Sequence, residues 1–87
     1  MSLTHHQQWI LQRILRDEEN VNYITFGTWR GNKVFIVTPE CCDFYTSAYD
    51  SETGDLIAHV SGGLTGRGDE RYPNFHRDYK LISRINL

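Results

Sequence analysis

Four side chains in the sequence could bind a metal ion: Cys41, Cys42, His59 and His76. Zinc prefers such nitrogen and sulfur ligands, but its paired cysteines are usually separated by about two to four residues so that both point at the metal. Adjacent side chains point in opposite directions along an extended chain. A metal-binding domain that uses these four residues, or the acidic turns, is therefore an alternative interpretation, and the sequence predicts no cofactor.

A cysteine beside a histidine could also act as a thiolate nucleophile. This chemistry requires a depressed thiol pKa and a histidine within hydrogen-bond reach of the sulfur. Residues 41–42 are well separated from both His59 and His76 in the sequence, so the contact depends on the fold. A small thiol-dependent enzyme is the second alternative, and no catalytic residue is assigned.

Residues 61–69, with the sequence SGGLTGRGD, form a glycine-rich loop with four glycines in nine positions. Successive backbone N–H groups in such a loop can form a nest for an anion. Alternatively, Asp69 with Asp43 or Asp50 could supply oxygen ligands for calcium, or the Asp69 carboxylate could accept hydrogen bonds from its own loop. The candidate ligand-binding residues are Gly62, Gly63, Thr65, Gly66, Gly68, Asp69 and Asp43.

An amphipathic helix is predicted over residues 4–18. Thr4 and Gln7 have the spacing of a capping box, in which each side chain accepts a hydrogen bond from the backbone N–H of the other residue. Apolar residues follow at helical spacing and predict one buried face, namely Ile10, Leu11, Ile14 and Leu15. The acidic run at residues 17–19 fits poorly at a helix C-terminus, where the helix dipole favours cations, so the helix is expected to end there.

Four strands are predicted after this helix, at residues 21–29, 33–38, 44–49 and 56–60, because these segments are rich in β-branched and aromatic residues. The tail, residues 70–87, could add a fifth strand, and Tyr72, Phe75 and Tyr79 are expected to pack the loop onto the core. The predicted fold is α+β, with one domain over residues 1–87 and the N-terminal helix packed on an antiparallel four- to five-stranded meander sheet.

The charge and size of the chain limit its partners. A formal net charge of −2 is unlike the basic excess of a dedicated nucleic-acid binder. No segment approaches the ~20 apolar residues of a membrane-spanning helix. A domain of 87 residues has a modest core, so a protein partner or a homodimer would add stability. The sheet edge that could supply this contact is predicted at residues 33–38 or in the tail strand.

The stretch from Pro39 to Phe75 resembles an uncharacterised family of small bacterial domains with the pattern P-x-C-C-D, Y-D, G-G-x-T-G-x-G-D and P-x-F. The matching residues are Pro39, Cys41, Cys42, Asp43, Tyr49, Asp50, Gly54, Gly62, Gly63, Thr65, Gly66, Gly68, Asp69, Pro73 and Phe75. The resemblance implies a protein that is often exported or lipid-anchored, which would require a leader preceding Met1. The family often carries further cysteines where this chain has Ala58 and Tyr72.

These observations favour a non-enzymatic binding or protein-interaction module. Aspartates and glycines in the loop have the spacing of turn residues, and the adjacent cysteines have poor spacing for a metal. The resemblance implies a domain type and no reaction. The sequence therefore predicts a binding domain whose candidate site is the glycine-rich loop.

Overall fold

Among the residues that the structure describes, the fold consists of one long helix, one short helix and five strands. A computed structural model describes residues 3–40 and 44–85. The elements are α1 (His5–Asp17), β1 (Val21–Trp29), β2 (Asn32–Pro39), β3 (Tyr45–Asp50), β4 (Leu56–Gly62), α2 (Phe75–Asp78) and β5 (Tyr79–Ile85). This architecture confirms the predicted α+β class, and the tail supplies the fifth strand.

The predicted capping box begins α1. The Thr4 hydroxyl accepts a hydrogen bond from the Gln7 backbone N–H at 3.0 Å, and Gln7 Oε1 accepts one from the Thr4 N–H at 3.0 Å. The helix ends at Asp17, one residue before its predicted end, and Glu18 is the C-cap with an extended backbone. Neither described helix, within residues 3–40 and 44–85, is long and apolar enough to cross a membrane.

All strand pairs in the sheet are antiparallel, and the strand order is β4-β3-β2-β1-β5. The prediction that residues 33–38 form a sheet edge is wrong, because β2 lies in the centre between β1 and β3. Its burial explains the position: four consecutive residues, 34–37, are buried, as in a strand that is covered on both faces. The edges are β4 and β5, so a partner contact through the tail strand remains a prediction.

Each face of the sheet packs against its own apolar cluster. The cluster beneath α1 comprises Ile10, Leu11, Ile14, Ile24, Phe26, Phe35 and Val37. The cluster on the opposite face comprises Trp29, Val34, Ile36, Ala48, Ala58, Val60 and Phe75. Tyr72 and Tyr79 pack against this second cluster, which confirms that the aromatic residues of the tail contact the core. Because α2 is only four residues long, it covers just part of this face.

Candidate functional site

Asp69, the acidic residue of the glycine-rich loop, binds the backbone of its own neighbourhood. Its Oδ1 accepts a hydrogen bond from the Arg71 N–H at 2.9 Å, and its Oδ2 accepts one from the His59 N–H at 3.0 Å. These two bonds lower the pKa of the Asp69 carboxyl, with the Arg71 bond the larger cause. The Asp69 N–H also donates to the His59 carbonyl at 2.9 Å. Asp69 therefore fastens the loop to β4 at His59.

Three of the predicted loop glycines lie in close contact with β4 or with the segment that begins β3. A side chain at Gly62, Gly63 or Gly68 would overlap a neighbouring group. The groups they would meet are, in that order, the Phe44 carbonyl, the Tyr45 ring and the His59 carbonyl. The loop thus holds the start of β3 and the middle of β4 by close backbone approach, which only glycine permits.

The tip of the loop makes only internal contacts among the described residues. The Gly66 N–H donates to the Gly63 carbonyl at 3.3 Å, and the Arg67 N–H donates to Thr65 Oγ1 at 3.2 Å. Leu64, between these turns, is 94% exposed. Thr65 and Gly66 therefore act in the turn.

The two described residues of the predicted calcium set, Asp50 and Asp69, each accept hydrogen bonds from backbone N–H groups near them. Asp50 Oδ1 accepts hydrogen bonds from the Glu52 and Thr53 N–H groups, at 2.8 and 3.1 Å, and so belongs to the β3–β4 turn. Asp69 lies in a different loop, and Asp43 lies outside the described residues. Within residues 3–40 and 44–85, no group of three or more His, Cys, Asp or Glu side chains is placed to hold a metal ion.

The two histidines of the predicted metal set lie on opposite faces of the sheet. His59 lines a cleft on the α1 face together with Val37, whereas His76 lines a groove on the other face together with Ile36. Neighbouring strand residues such as 36 and 37 point to opposite faces. His59 and His76 therefore cannot bind the same ion, and Cys41 and Cys42 lie outside the described residues.

A cleft of about 290 Å³, which we call the helix-end cleft, opens where α1 ends over the sheet. Three consecutive acidic residues, Asp17, Glu18 and Glu19, form its wall on the helix side. Its apolar surface comes from Val21, Val37 and Pro39. The remaining lining residues come from the start of β3 and from β4, which are the two segments that the glycine-rich loop supports.

The floor of the helix-end cleft contains a serine–histidine pair. Ser47 and His59 are register partners on β3 and β4, and Ser47 Oγ lies 2.8 Å from His59 Nδ1. The imidazole stacks on the Tyr45 ring, with ring centres 4.5 Å apart and planes inclined by 21°. Ser47 is only 2% exposed, and its hydroxyl holds the His59 ring from below the cleft surface. Ser47 and Tyr45 fix the orientation of His59.

Two half-exposed aromatic rings form the rim of the helix-end cleft. Phe44 is 50% exposed and Tyr45 is 45% exposed. Exposed aromatic side chains beside a cleft are typical of a binding surface, because their apolar faces gain from being covered. Both rings also lie in a cleft with three carboxylates, which is a suitable environment for a cation over an aromatic face.

The helix-end cleft has a negatively charged lining. Among the described residues that line it, none is a lysine or arginine, while three are acidic. The C-terminus of a helix already carries about half a negative charge, so each acid there costs about 0.3–1 kcal/mol. Such local violations of the ordinary charge rules are expected where a protein has a functional site. The cleft is therefore suited to a positively charged group.

Tyr49 connects the acidic wall to the sheet. Its hydroxyl donates a hydrogen bond to Glu18 Oε1, which holds the end of α1 against β3. Burial is the main cause that raises the pKa of the Tyr49 phenol above its ordinary value, and the Glu18 carboxylate adds to it. The phenol therefore stays protonated and remains a hydrogen-bond donor well beyond neutral pH.

The variant Tyr49→Phe should lose less stability than the parent protein as the pH rises into the alkaline range. The folded pKa of Tyr49 is raised above its unfolded value, so its contribution is fully present below about pH 10 and is lost as the pH rises through the folded pKa. At neutral pH the variant should lose about 1 kcal/mol, since Glu18 loses its donor. Thermal unfolding of both proteins between about pH 7 and 11 measures the effect. Burial also raises the pKa of Tyr79, but Tyr79 is present in both proteins and affects both equally. The prediction would be contradicted if the stability of the two proteins fell in parallel as the pH rose.

Sequence analysis missed the serine–histidine pair and most of the helix-end cleft. Ser47 and His59 meet only through the β3–β4 register, which contains two irregularities that cannot be read from sequence. One signal was available: the unfavourable acids at residues 17–19 marked the end of α1 as unusual. The predicted loop residues contribute to the site indirectly, because they position its floor and rim.

The similarity of this chain to known proteins lies at the level of a domain family. No curated protein and no solved structure shows significant similarity to it. A family model described as a domain of unknown function (DUF6970) matches residues 14–85. This range includes the five strands and every described residue of the helix-end cleft. The chain therefore belongs to the DUF6970 family of domains of unknown function.

Proposed function

We propose that this domain is a non-enzymatic binding module, and that its helix-end cleft binds an ammonium or guanidinium group. The observation that carries this proposal is the lining of the cleft: three carboxylates and two half-exposed aromatic rings, with no lysine or arginine among the described lining residues. A cation in this position would offset the repulsion between the acids and the helix C-terminus. A protein side chain or a free amine can supply the same group.

The carboxylates and the aromatic rings of the cleft would contact different parts of such a ligand. The carboxylates of Asp17 and Glu19 are exposed and make no hydrogen bonds to the described residues, so both can accept hydrogen bonds from a bound cation. Phe44 and Tyr45 can cover the apolar stem or the flat face of the same ligand. Glu18 is already bonded to Tyr49 and contributes mainly its charge.

The size of the helix-end cleft supports a small occupant. Its volume of about 290 Å³ lies at the lower end of the range for ligand sites. It therefore suits a single long side chain or a small amine, and is too small for a large cofactor. Export and a bacterial origin, which the resemblance implies, remain predictions.

Binding is tested by NMR titration of the ¹⁵N-labelled protein with N-acetylarginine amide. The neutral isostere N-acetylcitrulline amide is the probe control, since it differs in charge and keeps nearly the same shape. We expect the arginine compound to shift the resonances of Tyr45 and His59, and about 0.5 M salt to weaken its binding. Agmatine, tested in the same way, distinguishes a free amine from a group that is presented by a peptide.

Glu19→Gln and Asp17→Asn should each weaken binding of the arginine probe about two- to fivefold, as expected for one partly solvated charge contact. Asp55→Asn removes an exposed acid outside the cleft and should leave the affinity unchanged. Equal binding of the arginine and citrulline compounds would contradict the proposal. The proposal would also be contradicted if calcium chloride or zinc chloride shifted the same resonances at a lower concentration than the arginine compound. That result would favour the metal-binding alternative.

A further inference from the structure

We propose that the opposite face of the sheet carries a second, independent site that binds a neutral saccharide. This site, which we call the hydroxyl groove, has a volume of about 410 Å³. Its hydroxyl-bearing lining residues are Tyr23, Thr25, Thr38, Thr46, Ser61 and Tyr79. It shares no described lining residue with the helix-end cleft, so the inference does not depend on the function proposed for that cleft.

The sheet register places these hydroxyl groups side by side. Tyr23 on β1 pairs with Thr38 on β2, and Thr46 on β3 pairs with Ser61 on β4. All are partly exposed, because α2 covers only the other end of this face, where Phe75 packs on Trp29. Four adjacent strands thus contribute a transverse row of hydroxyls to one open surface.

The hydrogen-bonding capacity of the row is largely unused by the protein. The Tyr79 hydroxyl donates to Thr25 Oγ1 at 3.0 Å. The side chains of Tyr23, Thr38, Thr46 and Ser61 form no hydrogen bonds with other described residues. A hydroxyl can both donate and accept, so a row of them matches a ligand whose own polar groups are hydroxyls.

The absence of charge in the lining favours a neutral ligand. The chain has 20 charged residues, 9 basic and 11 acidic, yet no Asp, Glu, Lys or Arg is among the described lining residues of the groove. Arg84 lies at one margin, with its guanidinium carbon 4.3 Å from the centre of the Tyr23 ring, which it packs against. A cationic ligand would lose its hydration in the groove without gaining a counter-ion, and the groove offers an anion only Arg84 at the margin and the His76 imidazole in the lining.

The groove also offers apolar surface for the carbon face of a sugar ring. Ile36 contributes apolar surface to the lining, and the Tyr79 ring, which stacks on Phe75 at 5.8 Å, is held in a fixed orientation. Leu81, which is 62% exposed, lies at the β5 side. An apolar surface crossed by a few fixed polar groups is the usual composition of a small-ligand site.

The proposal is tested by NMR titration with three neutral disaccharides: maltose, cellobiose and N,N′-diacetylchitobiose. At least one should shift the backbone resonances of Thr38, Thr46 and Ser61 while leaving Asp17 and Glu19 unchanged. Sodium glucuronate and inorganic phosphate serve as charged controls. Both should leave the groove resonances unchanged.

Thr46→Val and Thr38→Val remove one hydroxyl each and keep the shape and the strand preference of threonine. Each should weaken disaccharide binding about fivefold, as expected for one neutral hydrogen bond. Thr28→Val, on β1 outside the groove, is the matched control and should bind normally. If a valine variant fails to fold, as judged by circular dichroism, Ser61→Ala replaces it.

Three results would overturn the saccharide site. The first is that none of the disaccharides shifts the groove resonances up to its solubility limit. The second is that phosphate or glucuronate binds there more tightly, which would assign the groove to an anion beside His76 and Arg84. The third is that the groove resonances shift with protein concentration alone, which would make a second copy of the chain the occupant.

Discussion

Gly68→Ala should destabilise the protein by roughly 3 kcal/mol or more. Gly68 has a φ of +67°, which alanine adopts at a cost. In addition, an alanine Cβ would overlap the His59 carbonyl oxygen and approach the Ser61 nitrogen to 2.8 Å. Since these are backbone atoms of β4, the strand itself must move. Urea unfolding followed by tryptophan fluorescence measures the loss.

Gly66→Ala is the matched control, because Gly66 has nearly the same backbone conformation, with φ +76°, and nothing within 4 Å of the added Cβ. It should cost only about 1 kcal/mol, the penalty of the left-handed backbone alone. The difference between the two variants therefore isolates the close approach of the loop to β4. If both variants lost the same stability, the close approach of Gly68 to β4 would have no effect on the free energy of unfolding.

The same substitution connects the glycine-rich loop to the proposed function. Moving His59 would disturb its bond to Ser47 and its stacking on Tyr45, both of which shape the floor of the helix-end cleft. Gly68→Ala, where it still folds, should therefore weaken binding of the arginine probe, although Gly68 does not line the cleft. The loop therefore affects the site by positioning His59. Gly66→Ala should bind the arginine probe normally.

The sequence predicts the elements of this fold well because their signals are local. The capping box at Thr4 and Gln7 fixes the start of α1, and the strands have continuous β-branched and aromatic runs. The central position of β2 was also encoded, since residues 34–37 are four consecutive apolar residues, the pattern of a strand buried on both faces. Pro39, which has no backbone N–H to donate, is the last residue of this central strand.

The site was harder to predict, because its parts are joined only by tertiary structure. The acidic wall lies in residues 17–19, the rim begins at Phe44, and His59 follows on another strand. No motif spacing relates these segments. The sequence predicts a site in the glycine-rich loop, but the residues of the loop support the cleft instead of lining it. This difference depends on which groups of β3 and β4 lie against each glycine.

The tail illustrates a second limit of sequence reasoning. Residues 70–78 have no periodic pattern, and α2 contains four residues, too few to produce one. Its existence depends on Phe75, which is the only buried residue of the helix and packs into the second apolar cluster. The packing of Phe75 on Trp29 and the ion pair between Arg30 and Asp78 thus place this segment on the second face of the sheet.

Phe75→Ala should remove about 3–5 kcal/mol of stability, the usual cost of deleting a fully buried phenylalanine ring. The ring is 1% exposed and stacks on Trp29 with centres 5.0 Å apart. A domain of this size is typically stable by only about 5–15 kcal/mol, so the loss is a large share of the total. The Trp29 emission should shift to longer wavelength in the variant, because α2 would no longer cover the indole. Thermal and urea unfolding give the stability change.

Phe44→Ala is the control for this prediction, because it deletes the same side chain from a site where the ring is 50% exposed. It should change the stability by less than about 0.5–1 kcal/mol, yet it should weaken binding of the arginine probe, since Phe44 forms the rim of the helix-end cleft. Phe75→Ala should show the reverse pattern when it is measured well below its unfolding transition. If both variants lose the same stability, burial of Phe75 in the second apolar cluster does not stabilise that face of the sheet.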